Sequence, residues 1–470
     1  MNRYKKANEG IHAPEELKET VVREKRTSYA KWVSAVAAVL AVAIVGGIVL
    51  WPGNTPVAHA AGVIAEAQYP EMAQYPDESK PGFDKAYEKW WADLRAQQQM
   101  APTQDGLFPF YAATLPQFLG NNDGENRVYS PLNLYMALAM LAESTDGSSR
   151  QQILDLLAVD DMDTLRERAH GLWNANYRDD GAVTSVLASS VWLNENVTFH
   201  QDAMVRLAQT YYTSSYRGEM GSEAFNELLR DWLDEQTGGL LKEYTANIEL
   251  DPNAILALAA TIYFRVKWQD EFWEDRNTED LFHGASGDVT AEFMHQSGTA
   301  SYYWGDSFSA YGKRFEAGGT MWFLLPDEGV SVDALLEDAQ AMEFLYQPGS
   351  WENQKYLIVN FSMPKFDVSS RLDLSAGLKA LGVTDVFDMV QADFSPMTTE
   401  PYVHLSEAIH AARVKVDEEG VEAAAFTIIP APGAAPPPEE EVDFVLDRPF
   451  LFAITSATGQ LLFVGVVNQV

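Results

Sequence analysis

The pattern of apolar and polar positions predicts strands along most of the chain after residue 180. Apolar or alternating runs occur at residues 184–193, 257–264, 319–326, 356–364 and 409–418. Residues 448–467 form two apolar runs separated by a turn that ends in Gly459, which is typical of a buried hairpin. The strands are interspersed with helical segments but without regular βαβ alternation. This arrangement predicts an α+β domain with large mixed sheets.

Two helices stand out in the same pattern. Ser130 followed by Pro131 gives a hydroxyl cap and a proline at the first helical position, and the helix that follows is apolar on nearly every side, so we expect it to be buried. A second helix ends at Gly238 and Gly239 and has one apolar stripe, which is typical of a surface helix. The stripe consists of Phe225, Leu228, Leu229, Trp232 and Leu233.

An uncharged segment near the N-terminus predicts a membrane anchor. Residues 32–51 carry no charge and have a tryptophan at each end, and twenty helical residues span the roughly 30 Å core of a bilayer. Eight Lys and Arg residues against five Glu precede it, which predicts a cytoplasmic N-terminus and an extracytoplasmic remainder. A buried helix of a soluble domain and secretion after cleavage near Ala60 are the alternatives.

These features divide the chain into four parts. We predict a cytoplasmic tail at residues 1–31, a transmembrane anchor or signal-peptide segment at 32–51, an extracytoplasmic stalk at 52–105 and a folded domain at 106–470. The domain contains a long loop at residues 418–441.

Composition and motifs exclude several classes of function. The 470 residues include 68 acidic and 33 basic side chains, a net charge of −35, which disfavours nucleic-acid binding. Cysteine is absent, so the fold has no disulfide, thiolate metal site or cysteine nucleophile. The eight histidines are scattered, and no HExxH, GxSxG or GxxxxGK[ST] motif occurs. We expect no metal, no cofactor and no enzyme activity, and a membrane-tethered enzyme remains an alternative without candidate residues.

The long loop has the side-chain pattern of a central strand. If residues 421–431 are extended, one face carries only small or apolar side chains, and Glu422 lies on the other face. That face consists of Val421, Ala423, Ala425, Thr427, Ile429 and Ala431. The prolines that follow prevent a helix or a regular ladder. A flexible linker is the alternative, but long loops within a domain are usually functional, which favours a loop that binds a protein or a protease.

Several ordered motifs resemble one family. The stretch VDEEGVEAAAFT resembles the hinge of a serpin reactive-centre loop, and similar landmarks occur in VYSPLNLYMALAMLAESTDGSS, FNELLRDWLDEQTGGLL, ATIYFRVKWQDEFWEDRNTEDLF, MPKFDVSSRLDLSAGLKALGVTDVF and DRPFLFAITSATGQLLFVGVV. The resemblance covers residues 106–470. It identifies the chain as similar to bacterial-type serpins, with an added N-terminal membrane anchor.

The resemblance implies both a fold and a mechanism. The fold has three β-sheets, about eight to nine helices and an exposed reactive-centre loop near the C-terminus. A serine protease attacks the loop and forms a covalent acyl-enzyme, and the cleaved loop then inserts as a strand beside residues 409–418. The implied partner is a serine protease, and we expect a monomer that binds no nucleic acid.

The resemblance also assigns the residues of the loop. The hinge comprises Glu418, Glu419, Gly420, Val421, Glu422, Ala423, Ala424, Ala425 and Thr427. The spacing from Glu418 places the reactive bond between Ala434 and Ala435, with Gly433–Ala434 as the nearest competitor. A small residue at the cleavage site fits an elastase-like or subtilisin-like protease, whereas the absence of Lys and Arg excludes a trypsin-like one.

The region where the sheet must open departs from the family pattern. It is expected to contain Ser130, Asn133, Ala260 and His410, with asparagine and alanine where serine and asparagine are usual. We expect the amide of Asn133 to replace the missing one and to hydrogen-bond His410, which we interpret as structural rather than catalytic.

Other departures favour a second function. Phe426 stands where a small residue is usual, and Pro430 and Pro432 would remove two ladder donors from an inserted strand. These residues favour a non-inhibitory serpin that acts as a surface binding or structural module. The small hinge residues Ala423, Ala424 and Ala425 favour an inhibitor.

Overall fold

The computed structural model describes residues 62–70, 72–77, 79–102, 104–239, 241–421 and 438–470. Its strands form two large sheets. In spatial order, the eight-stranded sheet contains β1 (Gly62–Ala65), β5 (Thr213–Gly218), β4 (Thr184–Asn194), β6 (Leu256–Lys267), β14 (Gly420–Val421), β13 (Leu405–Val416) and β12 (Phe366–Asp373), with β3 (Arg178–Asp179) paired to β4.

The second sheet has nine strands. In spatial order it contains β15 (Glu441–Val445), β11 (Gln354–Pro364), β8 (Gly287–Trp304), β9 (Phe308–Arg314), β10 (Thr320–Pro326), β16 (Phe450–Thr455), β17 (Leu461–Val467) and β2 (Arg127–Tyr129), with β7 (Thr278–Gly284) paired to β8. Every strand predicted from the apolar pattern is present, and β16 and β17 form the predicted hairpin.

The ladders join into two sheets, where the resemblance implied three. The reason is the length of β8, which has 18 residues. Its first half pairs with β7 and its last residues pair with β9, while β11 runs along most of it. One strand therefore connects the ladders at its two ends into a continuous sheet.

The described residues include eleven α-helices, somewhat more than the expected eight to nine. They are α1 (Phe83–Gln98), α2 (Phe108–Leu119), α3 (Pro131–Ser144), α4 (Gly147–Leu156), α5 (Met162–Asn176), α6 (Gln201–Thr210), α7 (Glu223–Gln236), α8 (Lys242–Thr245), α9 (Val332–Glu337), α10 (Ala339–Tyr346) and α11 (Leu374–Ala380). Short 3-10 helices lie at Gln104–Leu107, Glu274–Arg276, Pro348–Ser350 and Asp385–Phe387.

The two helices predicted in detail form as expected. The hydroxyl of Ser130 accepts a hydrogen bond from the backbone N–H of Asn133 at 3.1 Å, and all fourteen residues of α3 are buried. The helix packs against β4, β6 and β17, so it lies between the two sheets. Helix α7 buries most of its apolar stripe and is followed by Gly238 and Gly239, both with positive φ.

Part of the segment assigned to a stalk has regular structure. Strand β1 pairs with β5 at the edge of the eight-stranded sheet, and the ring of Tyr69 stacks on Trp173 and Tyr177 at centroid distances of 5.6 and 5.4 Å. In α1, the indole of Trp90 donates to the buried carboxylate of Asp180. The boundaries of the tail, stalk and domain stay predictions.

The predicted cellular location needs correction. No helix in the part of the chain that the structure describes is long and apolar enough to cross a membrane, and residues 32–51 lie outside the described ranges. We therefore withdraw the extracytoplasmic, membrane-anchored location, together with the alternative of secretion after cleavage near Ala60.

Candidate functional site: the root of the reactive loop

The middle of the eight-stranded sheet has a gap. Strands β6 and β13 run parallel and pair from Leu256 opposite Leu405 as far as Thr261 opposite Ala411. Beyond this point, no pairing between the two strands occurs in the described chain. Residues 262–265 of β6 and 412–415 of β13 therefore face each other across a space that another strand can occupy.

The start of the loop, residues 417–421, is called the loop root here. It already occupies the far end of this gap. After β13, the chain turns back as β14, in which Gly420 lies opposite Lys267, and Val421 lies opposite Val266 on one side and Val416 on the other. Both pairings are antiparallel. The side chain of Val421 is buried, as the alternating pattern of the loop predicts for this face.

A close backbone approach requires the glycine at position 420. A Cβ atom there would lie 2.2 Å from the carbonyl oxygen of Val266 and 2.8 Å from Cα of Lys267. The carboxylate of Asp417 stabilises the preceding turn by accepting from the N–H groups of Glu419 and Gly420 at 3.0 and 3.3 Å. A side chain at position 420 would therefore require the backbone of β14 or of β6 to shift.

The segment after β6 holds the root of the loop through backbone bonds. The N–H of Trp268 donates to the carbonyl of Glu419, and the N–H of Phe272 donates to that of Glu418, both at 3.0 Å. The indole Nε1 of Trp268 donates to the carbonyl of Asp417, also at 3.0 Å. The indole ring stacks on Phe315 at a centroid distance of 5.0 Å, so the packed core fixes its position.

Glu418 is the charged anchor of the root. Its carboxylate lies 2.7 Å from Nζ of Lys365 and accepts from the side-chain amide of Asn277 at 2.5 Å. Burial opposes ionisation of Glu418, but the hydrogen bonds from Lys365 and Asn277 outweigh it, so the pKa of Glu418 lies below its ordinary value. Lys365 also pairs with Glu292 at 3.0 Å.

The residues predicted for sheet opening meet where β6 and β13 still pair. His410 lies opposite Ala260, and its Nε2 accepts from the backbone N–H of Ser130 at 3.0 Å. His410 is fully buried, and burial lowers its pKa to about 4, although the neighbouring backbone of Ala260 opposes the shift. His410 is thus a neutral structural residue at neutral pH.

The predicted hydrogen bond between Asn133 and His410 is not formed. The side-chain amide of Asn133 is buried and has no hydrogen-bond partner among the described residues, at either its nitrogen or its oxygen. The acceptor Nε2 of His410 is taken by the backbone of Ser130. The backbone N–H of Asn133 donates to the hydroxyl of Ser130.

The rest of the predicted loop lies outside the described residues. Hinge residues Glu418, Glu419, Gly420 and Val421 have the positions given above. The other loop residues named from the sequence are not described: Glu422, Ala423, Ala424, Ala425 and Thr427 of the hinge, the reactive bond Ala434–Ala435, and Phe426, Pro430 and Pro432.

Sequence reasoning assigned no role to the residues that hold the root. Trp268, Phe272, Asn277 and Lys365 lie within stretches that resemble the family, and Trp268 and Phe272 match a tryptophan and a phenylalanine of the family motif, but the motif does not say what they contact. Their contacts join residues far apart in the chain, such as Trp268 and Asp417, which are separated by 149 positions. A local pattern cannot report such a contact.

The geometry defines a class of protein in which the first residues of a long loop lie as a short strand between two central strands of a sheet. Comparison with known proteins is consistent with this class: the family model for "Serpin (serine protease inhibitor)" matches residues 110–470. The chain belongs to the serpin family.

Individual relatives have low sequence identity to this chain, but the alignments cover almost the whole length of each relative. The chain is 29% identical over 356 residues to human leukocyte elastase inhibitor, which covers 73% of this chain and 93% of that protein. It is 28% identical over 368 residues to Serpin-ZX of Arabidopsis thaliana, covering 74% and 92%. The fold matches the native state of the thermophilic serpin tengpin, with a TM-score of 0.69 at 22% identity, over 87% of this chain and 100% of that one. Nothing in these matches supports a bacterial subtype or a membrane anchor.

Proposed function

We propose that this chain is an inhibitory serpin, a suicide-substrate inhibitor of an elastase-like or subtilisin-like serine protease. The observation that carries the proposal is the gap between β6 and β13, with Gly420 and Val421 already paired at its far end. The site binds and traps an enzyme and is not itself catalytic.

The chemistry of trapping is that of an interrupted peptide hydrolysis. The serine Oγ of the protease attacks the carbonyl carbon of Ala434, an ester forms, and the nitrogen of Ala435 leaves with a proton. Hydrolysis of the ester would release the protease. Insertion of residues 421–431 between β6 and β13 moves the bound protease away first and distorts its active site.

Insertion is driven by ladder bonds that the new strand makes with both of its neighbours. The residues next to β14 fill the open gap, and those beyond it replace the pairing between β6 and β13 that ends at Thr261 and Ala411, so each lost pair is exchanged for bonds on both sides of the inserted strand. About ten inserted residues, each with a net hydrogen-bond contribution of roughly 0.5–1.5 kcal/mol, give about 5–15 kcal/mol before apolar burial is added. The direction of β14 supports the proposal, because a strand antiparallel to both neighbours satisfies both open edges. One cut thus releases stored free energy.

A non-inhibitory serpin that serves as a binding or structural module is the second candidate. Pro430 and Pro432 favour it, because each removes a backbone donor from the inserted strand. Incomplete insertion would leave time for ester hydrolysis, and the chain would then be cleaved as a substrate. The hinge half of the strand, which contains no proline, is unaffected.

The two candidates are separated by mixing the full chain with pancreatic-elastase-type and subtilisin-type proteases. An inhibitor gives a denaturant-resistant adduct, and mass spectrometry places the new ester at Ala434. Clean cleavage without an adduct for every protease tested would overturn the inhibitory function. The monomeric state stays a prediction and is checked by size-exclusion chromatography with light scattering on the intact chain in native buffer.

Two matched variants test which face of the inserted strand is buried. Ala425→Arg places a charge on the face shared with the buried Val421, so we expect cleavage without adduct. Ala424→Arg carries the same charge on the opposite face and should keep most of the adduct. Equal adduct yields from both variants would contradict the proposed register.

A further inference from the structure

A polar cleft divides the nine-stranded sheet on the side of the loop root. Strands β8 and β9 pair only between residues 302–304 and 309–311, and they then diverge because β8 follows β11 while β9 follows β10. The space between them has a volume of about 600 Å³, within the range of small-molecule pockets. The proposed inhibitory mechanism does not use it.

A buried lysine forms part of the cleft wall. Lys313 is 3% exposed, and its Nζ donates to the carbonyl oxygen of Asp270 at 2.7 Å and to Oε1 of Gln296. All three residues line the cleft. An ammonium group has three donors, so these two neutral acceptors leave one donor without a partner among the described residues.

The positive charge of Lys313 is poorly compensated. Within the described part of the chain, neither Lys313 nor its exposed neighbour Arg314 forms an ion pair with a carboxylate. The rings of Phe272 and Trp268 lie 4.2 and 5.2 Å from Nζ and supply only cation–π attraction. Burial lowers the pKa of Lys313 to about 7, partly opposed by the charge of Asp270, so the ammonium form is retained only at a free-energy cost.

Aromatic side chains also line the cleft. Tyr303 and Trp322 pack edge to face at 5.6 Å, and Tyr356 is 62% exposed. A cavity lined by both a buried cation and aromatic rings is complementary to an anion with a flat apolar body.

We infer that this cleft is a binding site for a small aromatic carboxylate, with the carboxylate paired to Lys313 and the ring packed on Tyr303 and Trp322. Such a ligand supplies the anion that the buried lysine lacks, in a chain whose net charge of −35 otherwise repels anions. The site is adjacent to the loop root, because Trp268 and Phe272 contact Lys313 and also bond Glu419 and Glu418.

Benzoate and its uncharged isostere benzamide test the site by isothermal titration calorimetry on the full chain. At pH 6.5, we expect benzoate to bind at least ten times more tightly than benzamide. Lys313→Met keeps the length of the stem and removes the charge, so it should remove this preference. Lys355→Met, on β11 outside the cleft, is the matched control and should bind like the unmodified chain.

The pH dependence gives an independent readout. If benzoate binds only the charged form of Lys313, its affinity should fall about 25-fold between pH 6.5 and pH 8.5, and binding at the higher pH should take up a proton. The proposal is overturned if benzoate does not bind, if benzamide binds equally well, or if Lys313→Met retains the preference. No protease is involved, so the result is independent of the inhibitory function.

Discussion

Substituting Gly420 by alanine perturbs the root of the loop at its tightest contact. The new Cβ would lie 2.2 Å from the carbonyl oxygen of Val266, which is backbone in a central strand and cannot move aside cheaply. We expect β14 to leave the gap, while β6 and β13 keep the pairing that ends at Thr261 and Ala411.

The expected fall in the free energy of unfolding follows from the contacts that β14 makes. Displacing it exposes Val421, whose burial contributes about 1.5–3 kcal/mol, and breaks backbone bonds such as that from Trp268 to Glu419, each with a net value of about 0.5–1.5 kcal/mol. Since water replaces some of these bonds locally, we expect the free energy of unfolding to fall by about 2–4 kcal/mol.

Urea denaturation of the full chain measures this loss, and hydrogen exchange at the amide of Trp268 reports the freed root. Gly298→Ala is the control, because Gly298 also lies in a strand and a methyl group added there would have no heavy atom within 4 Å. The control should change stability by less than about 1 kcal/mol. If Gly420→Ala is as stable as the control and protects the Trp268 amide equally, the close approach of Gly420 to Val266 does not determine the position of the loop root.

Three further predictions concern buried polar groups. The pKa of His410 is about 4 in the folded chain and 6.5 ordinarily, so between these pH values only the unfolded chain binds a proton. Proton binding should lower the free energy of unfolding by about 3 kcal/mol at pH 4. This pH-dependent loss should be absent in His410→Gln. Asn133→Leu replaces a buried amide without a partner among the described residues by an apolar group with the same number and branching of heavy atoms. This variant should raise the free energy of unfolding by about 1–3 kcal/mol in urea melts, and a loss would show that the amide is satisfied. Lys365→Met should reduce the free energy of unfolding by about 1–3 kcal/mol at pH 7. The difference between the variant and the unmodified chain should disappear as pH falls and Glu418 is protonated. A loss that does not depend on pH would assign the effect to packing.

Secondary structure was predictable because its causes are local. The cap at Ser130, the stripe that contains Trp232 and the alternation of β13 each act over a few residues, and all three have the expected structure. The joining of the ladders into two sheets was not predictable. It depends on how far β8 continues past β7, and the Ser297-Gly298 pair in that stretch indicates a break that the strand does not make.

The candidate site was predictable only in part. The alternating pattern of the loop placed Val421 on the face that is buried in β14, whereas the hinge beyond Val421 and the reactive bond stay predictions. The role given to Asn133 was wrong because His410 bonds a backbone group, which sequence patterns do not distinguish from a side chain. Lys313 resembles any other lysine in a strand until the fold packs it against Trp268 and Phe272, which are distant in the chain.

The central claim is that the cleaved loop becomes a strand between β6 and β13. Its most direct test compares the melting temperature of the intact chain with that of the chain cut in its loop. Ladder bonds of about 5–15 kcal/mol and an unfolding entropy near 2.1 cal/mol/K per residue over the matched domain predict a rise of roughly 7–20 °C. Hydrogen exchange at residues 262–265 and 412–415 should slow at the same time. An unchanged or lower melting temperature, with exchange unaltered at both strands, would contradict insertion.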